Sequence, residues 1–512
     1  MPPNAISVLT ADAVQLQNLL QSGQVDSMAL IEAYLDQINK HDDYLHAMIQ
    51  LAPLPLLQRR AMKLDKERKE GRVRGPLHGI PIMIKDNIAT HPDLGLQTTA
   101  GSLALLSSRR GNARVVDLLI EAGAIILGKS NLTELSNFKG ESLTSGWSAV
   151  GGQVQSAYVR KGLDPHDSHV GHSTPSGSSS GSAVGVSAGY SPLAIGTETD
   201  GSLTSPSGRA ALYTIKPTIG IVPQAGIVPV SHRLDSAGPM TKTVHDLAVL
   251  LDVISERGNS SSNDESFTSN LQDSWGNISV ATLDPEIWSH PNIKPVQEAT
   301  EQINREIRGA YQKIKSLAKN YVENVPLITK EKIALHGNDS LGLVMLADFK
   351  RDMNTYLRDL DVSDVRSIKE LIEFNNQHKE KELPLGNDNQ RRLIAADEQK
   401  LRDGEYGAHV WHMCQLSRES VRTILEANNV DVIIGPTDSK LSGIAACAGY
   451  PIAQAPLSYL DYNGRPFGVS ILAKGGDDAL LVRVLSAWEA TFPARKPPPS
   501  LEKSSVVIQI PK

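Results

Sequence analysis

Cysteine is scarce. Of 512 residues only Cys414 and Cys447 carry a thiol, too few and too far apart for a disulfide framework or a metal knuckle, so a reducing compartment is expected. Long apolar runs are missing as well. No stretch approaches membrane-spanning length, and Met1-Pro2-Pro3-Asn4-Ala5-Ile6 has no basic region followed by an apolar one, which predicts a cytoplasmic protein with no membrane partner. Neither sign of charge dominates: 51 Lys and Arg stand against 57 Asp and Glu, a formal net charge of −6. No basic block is long enough to follow a phosphate backbone, so nucleic acid is not an expected partner.

What is present describes a folded chain. Hydrophobic residues make up 40% and charged residues 21%, ordinary for a globular protein with a sizeable core. The length allows two or three average domains or one large sheet covered by helices. Asn131-Leu132-Thr133 matches a glycosylation acceptor, but without a secretory signal the match is read as chance.

Periodicity divides the chain. Residues 11–22 and 27–41 place Leu16, Leu19 and Leu20, then Leu30, Ile31, Tyr34, Leu35 and Ile38, at helical spacing, with Gly23 as a stop between them. From about residue 76 short apolar runs alternate with helical segments: Ile80–Ile84, then Ala113–Ala122, then Ala124–Leu127. Tyr213–Val230 carries strand-like runs broken by Pro217, Gly220, Pro223 and Gly226. Residues 257–272, with Gly258-Asn259-Ser260-Ser261-Ser262-Asn263, predict an exposed loop. Between about 287 and 430 the pattern is helical and strand signals vanish; they return at Val430–Ile434 and Gly468–Leu472, before a helix at Asp477–Ala490. No internal repeat is present.

Three residues stand out as chemistry. Ser202 follows Ile195-Gly196-Thr197-Glu198-Thr199-Asp200-Gly201, where an apolar strand ends in a tight turn of small residues. Backbone N–H groups in such a turn are free to face a carbonyl oxygen, an arrangement typically worth about 3–4 kcal/mol per donor in the transition state. A plain Asp-Gly-Ser turn reads the same way. Ser178 lies in Pro175-Ser176-Gly177-Ser178-Ser179-Ser180-Gly181-Ser182, which by composition is a flexible linker but runs straight into the small apolar segment Ala183–Gly189, a pattern of close packing. Lys85 ends the apolar run Ile80-Pro81-Ile82-Met83-Ile84. A strand-end lysine ordinarily keeps its ammonium in water. Desolvated, it becomes a neutral base able to activate a serine hydroxyl through a second serine, and Asp86 beside it would oppose this by holding the cation.

Two further patterns compete. Gly177-Ser178-Ser179-Ser180-Gly181 satisfies Gly-x-Ser-x-Gly, the nucleophile elbow of Ser-His-Asp α/β-hydrolases, with Ser179 as nucleophile and one of 14 histidines as base. An elbow needs a strand before it, and His172-Ser173-Thr174-Pro175-Ser176 has no strand character. His166, His169 and His172 recur every third residue with carboxylates between them, but Pro165 and Gly171 argue against one helical face, so a solvated loop is expected rather than a metal site.

The segments holding Lys85, Ser178 and Ser202, in this order and spacing, resemble the amidase signature family over about residues 8–255 and 430–490. Asn137-Phe138-Lys139-Gly140, Ser145-Gly146-Trp147-Ser148-Ala149 and Gly196–Ser202 look most like its peptide amidase branch, which removes ammonia from C-terminally amidated peptides. The resemblance implies one α/β domain over 1–512, a large twisted mixed sheet between helical layers. Residues 1–70 would form a helical cover, 71–256 and 430–490 the catalytic core, and 257–429 a mainly helical insertion supplying pocket walls. It also implies amide hydrolysis without a cofactor, on a small-molecule or peptide amide. Ser202 would be the nucleophile, Ser178 a bridging serine on a cis peptide and Lys85 the base, with the N–H groups of Thr199, Asp200, Gly201 and Ser202 as the oxyanion hole. The family commonly has two glycines before the nucleophile and arginine two after it; here stand Asp200-Gly201 and Thr204. The alternatives that remain are a non-catalytic binding scaffold on the same fold and a glutamine-dependent amidotransferase subunit. Oligomeric state is not legible.

Overall fold

The computed structural model describes residues 5–256, 266–290 and 292–510. Its centre is an eleven-stranded mixed sheet. Across the sheet the strands run Asn320–Val322, Ser279–Thr282, Val432–Pro436, Pro466–Leu472, Ile452–Tyr459, Tyr213–Lys216, Ser236–Thr241, Leu193–Glu198, Pro81–Lys85, Ile125–Ser130 and Met48–Leu51. Pairing is parallel where helices connect the strands, as in Met83↔Ala194 and Ile82↔Ile126, and antiparallel through the middle, as in Gly196↔Gly238 and Ala455↔Val469. Central strands such as Pro81–Lys85 and Leu193–Glu198 are buried along their whole length, because helices cover both faces and leave no side for alternation with polar residues.

The N-terminal cover consists of helices Ala13–Gln21, Ser27–Leu45 and Leu54–Lys69. The first two start where the carboxylates of Asp12 and Asp26 accept the otherwise unpaired N–H groups of Gln15 and Ala29 at 2.7 and 2.8 Å. Each buries its leucine stripe: Leu16, Leu19 and Leu20 from one, Leu30, Ile31 and Ile38 from the other. Helices Val244–Ile254 and Asp478–Thr491 pack together on the sheet through Leu247, Leu251, Leu481 and Leu485.

Three expectations are corrected. Residues 1–70 are not wholly helical, since Met48–Leu51 forms an edge strand of the main sheet. The stretch 257–429 contributes helices Gln297–Lys315, Ser340–Arg358 and Asp403–Asn428, but also the two strands Ser279–Thr282 and Asn320–Val322 that extend the sheet at its other edge. Strand structure in Tyr213–Val230 stops at Lys216. The expected loop at 257–272 falls mostly outside the described residues. Among those described, no helix is long and apolar enough to cross a membrane.

Candidate active site

Two strand ends and one buried helix meet at the site. Ile80–Ile84 is apolar because its strand lies in mid-sheet, and it delivers Lys85 to the edge of that core with its side chain fully buried. The glycine/serine tract is no linker. Ser180–Ser187 is a helix with every residue buried, and only small residues fit: a Cβ on Gly181 would come within 2.3 Å of the Ala47 carbonyl oxygen. Just before this helix the Gly177–Ser178 peptide is cis, and the Thr133 N–H donates to the Ser178 carbonyl at 3.0 Å.

Lys85 Nζ lies 2.8 Å from Ser178 Oγ, 2.8 Å from Thr197 Oγ1 and 3.3 Å from the Thr197 carbonyl oxygen. Burial pushes its pKa down to about 7, against the opposing pull of the Asp235 and Glu198 carboxylates. Asp86 does not hold the cation. Its carboxylate turns the other way, ion-paired with Lys129 at 3.4 Å and accepting from the N–H of Thr99 and Gly101 and from the Thr99 hydroxyl.

Ser202 sits at the mouth, partly exposed, after the turn that ends strand Leu193–Glu198. Its carbonyl accepts from the Ser179 N–H at 3.2 Å, which ties the two serine segments together. Gly201 adopts φ +89°, the left-handed conformation that suits glycine. Among the described residues no acceptor takes the N–H groups of Thr199, Asp200, Gly201 or Ser202. Ser202 and Asp200 line a cleft of about 220 Å³, together with Ser176, Gly177, Lys330 and Ser442.

Three neighbours of these residues escaped the sequence reading. Thr197 receives both Lys85 and Asn87 Nδ2, the latter at 3.0 Å. Glu198 accepts from the N–H groups of Leu203 and Thr204 at 2.8 and 2.9 Å and from the Thr204 hydroxyl, closing the turn around Ser202. Thr204, where the family commonly has arginine, is therefore a turn-closing residue. Asp235 accepts from the Thr199 hydroxyl at 2.6 Å and from the N–H groups of Val230 and Ser231. The signal for Glu198 was present: an acidic residue at a strand end, ahead of a short turn into a helix.

The competing patterns do not assemble. Ser179 is buried, with its hydroxyl donating to the Thr197 carbonyl at 3.0 Å and accepting the Thr197 N–H, and no strand precedes it, which corrects the elbow reading. His166, His169 and His172 lie in a loop, and among the described residues no group of three His, Cys, Asp or Glu side chains is arranged to hold a metal ion. His172 is buried rather than solvated.

The strand-end lysine contacts the serine on the loop entering the buried small-residue helix, and the second serine stands on the tight turn tied to that loop. Residues 29–482 match the family model Amidase, and the chain belongs to the amidase, or amidase signature, family. A probable amidase of Arabidopsis thaliana is 32% identical across 97% of this chain and 92% of its own length. A putative amidase of Schizosaccharomyces pombe is 30% identical across 95% of this chain and 86% of its own. The crystal structure of the Stenotrophomonas maltophilia peptide amidase superposes with a TM-score of 0.83 at 32% identity, over 95% of this chain and 98% of that one. The protein is a hydrolase acting on amide bonds.

Proposed function

We propose that amide hydrolysis proceeds through an acyl-enzyme on Ser202, with Ser178 as relay and Lys85 as base. The observation that carries this reading is the contact between a fully buried lysine amine and Ser178 Oγ at 2.8 Å. A neutral amine has two N–H donors and one lone pair. Its two donors suit the two oxygens of Thr197, leaving the lone pair to accept the Ser178 hydroxyl proton. Ser178 then accepts the proton of Ser202 as its oxygen attacks the carbonyl carbon. The N–H groups from Thr199 to Ser202 receive the oxyanion. On collapse, Ser178 donates a proton to the leaving nitrogen, so that ammonia or an amine departs, and water repeats the sequence to release the acid.

The likeness to the peptide amidase supports carboxamides, C-terminally amidated peptides among them, as substrates. The test joins labelling to turnover. A fluorophosphonate should modify Ser202 alone, located by peptide mass spectrometry, and should abolish ammonia release from a carboxamide panel. Labelling elsewhere, or full turnover by Ser202→Ala, refutes the assignment.

A further inference from the structure

Beyond the cleft at Ser202 lies a second cavity of about 280 Å³. His290, Ile293 and Asp438 line both, so the two adjoin at these residues. Its walls are predominantly apolar, with Trp288, Pro295, Ile303 and Phe467 facing the space. A cavity of roughly 150 Å³ with apolar walls already admits benzene, so this one has room for a phenyl ring or a six-carbon chain.

One end of the cavity is polar in an unusual way. Arg465 is 1% exposed, and its Nη1 donates to Asp438, which also pairs with Arg209 Nη2 at 3.3 Å. Two guanidinium groups thus face one carboxylate. Arg465 Nε and Nη2 have no acceptor among the described residues, nor does His172 Nδ1 have a partner. Buried donors left unpaired are costly, more so when charged, and an acceptor brought to them recovers that cost. Asp438 stays ionised between the two arginines, its pKa held far below the usual carboxylate range. His172 is neutral, pushed down to about 4 by burial and the two arginines.

We propose that this cavity is the subsite for the acyl body of the substrate: an apolar chain or ring whose far end presents a carbonyl or carboxylate oxygen to Arg465. Glu286, the other carboxylate on the lining, is at the rim and paired with Arg308 at 2.6 Å, leaving the inner end to Arg465. The inference rests on amide hydrolysis at Ser202 and names the class of amide: longer than the cleft alone accommodates, and bearing an acceptor.

Ammonia release from propanamide, hexanamide, the monoamide of hexanedioic acid and its methyl ester tests it. In the wild type, kcat/KM for hexanamide should exceed that for propanamide at least tenfold. The acid or the ester should exceed hexanamide by a further threefold or more, the acid if a charged acceptor is preferred and the ester if a neutral one suffices. Ile303→Trp, which fills the cavity from helix Gln297–Lys315, should lower the hexanamide-to-propanamide ratio at least tenfold. Arg465→Gln should erase the advantage of the acceptor. Should that variant not fold, the wild-type ranking of the three long amides still decides the point. A ratio unchanged within twofold in Ile303→Trp overturns the subsite, and hexanamide equal to both acceptor-bearing amides overturns the role of Arg465. Calorimetric titration of hexanoate separates this from the catalytic reading. Binding to Ser202→Ala that weakens tenfold on adding Ile303→Trp supports the cavity even if no amide is turned over; turnover without such weakening leaves the hydrolase and removes the subsite.

Discussion

Lys85 Nζ stands 2.8 Å from Ser178 Oγ and equally 2.8 Å from Thr197 Oγ1, so one buried amine is held between two hydroxyls. Removing each partner should have a different cost. Ser202→Ala is expected to reduce kcat by about 10⁵-fold or more, the scale seen when a serine nucleophile is lost. Ser178→Ala, which takes away the proposed relay, should cost about 10²–10⁴-fold. Steady-state ammonia release checks both, and unaltered circular dichroism shows that the fold is kept.

Activity should fall on the acid side with an apparent pKa of about 7. As the proposed base Lys85 must be neutral to accept a proton, and burial lowers its pKa to about that value. Asp235→Asn removes a negative charge that favours the ammonium, so the acid limb should move to lower pH. The kcat/KM profile of both proteins measures the shift, and a limb that moves upward contradicts the assignment of Lys85 as base.

Thr197→Val keeps the shape and deletes the hydroxyl that Lys85 and Asn87 share. The amine then loses one of its fixed contacts, and kcat should drop by roughly tenfold, the equivalent of one lost hydrogen bond of about 1.4 kcal/mol. Burst kinetics with an activated ester should show the loss in acylation.

Lys85→Met should make the protein inactive yet more stable at neutral pH. Folding buries a lysine whose pKa falls from 10.5 to about 7, a cost on the order of 5 kcal/mol at and below pH 7, where it must either keep its charge in the core or give up the proton. Between 7 and 10.5 the unfolded chain holds more protons than the folded one, so wild-type stability gains with rising pH and the advantage of the variant shrinks. Melting temperatures of the pair at pH 6.5 and 9.5 test the sign. Asp438→Ala should do the opposite, destabilising by about 3–5 kcal/mol because Arg209 and Arg465 are left buried without their shared carboxylate, read as a fall in the urea midpoint.

The strand ending at Lys85, the small-residue tract at Ser178 and the turn carrying Ser202 were legible because each is a pattern local in sequence. Thr197 and Asp235 were not, since their contacts join segments far apart in sequence, whereas Glu198 closes a turn local to it. Asp86 is a case like Thr197: adjacency to Lys85 suggested a pair, but the strand ends at Lys85 and the Asp86 carboxylate pairs with Lys129. Core strands with unbroken apolar runs were visible. Ser236–Thr241 was not, because Gly238 and Pro239 disguise a strand lying between Leu193–Glu198 and Tyr213–Lys216. Edge strands of three or four residues are too short for any period to register.

The complete burial of helix Ser180–Ser187 divides the catalytic region into unequal halves. On one side, Gly181 touches backbone and Gly196 leaves no room beside Ser179 and Leu203, so any enlargement there displaces the reacting groups. Ile293 and Ile303 come from a different part of the chain and line the apolar cavity. New amide specificities are therefore best sought by varying that second wall, with the first left as it is.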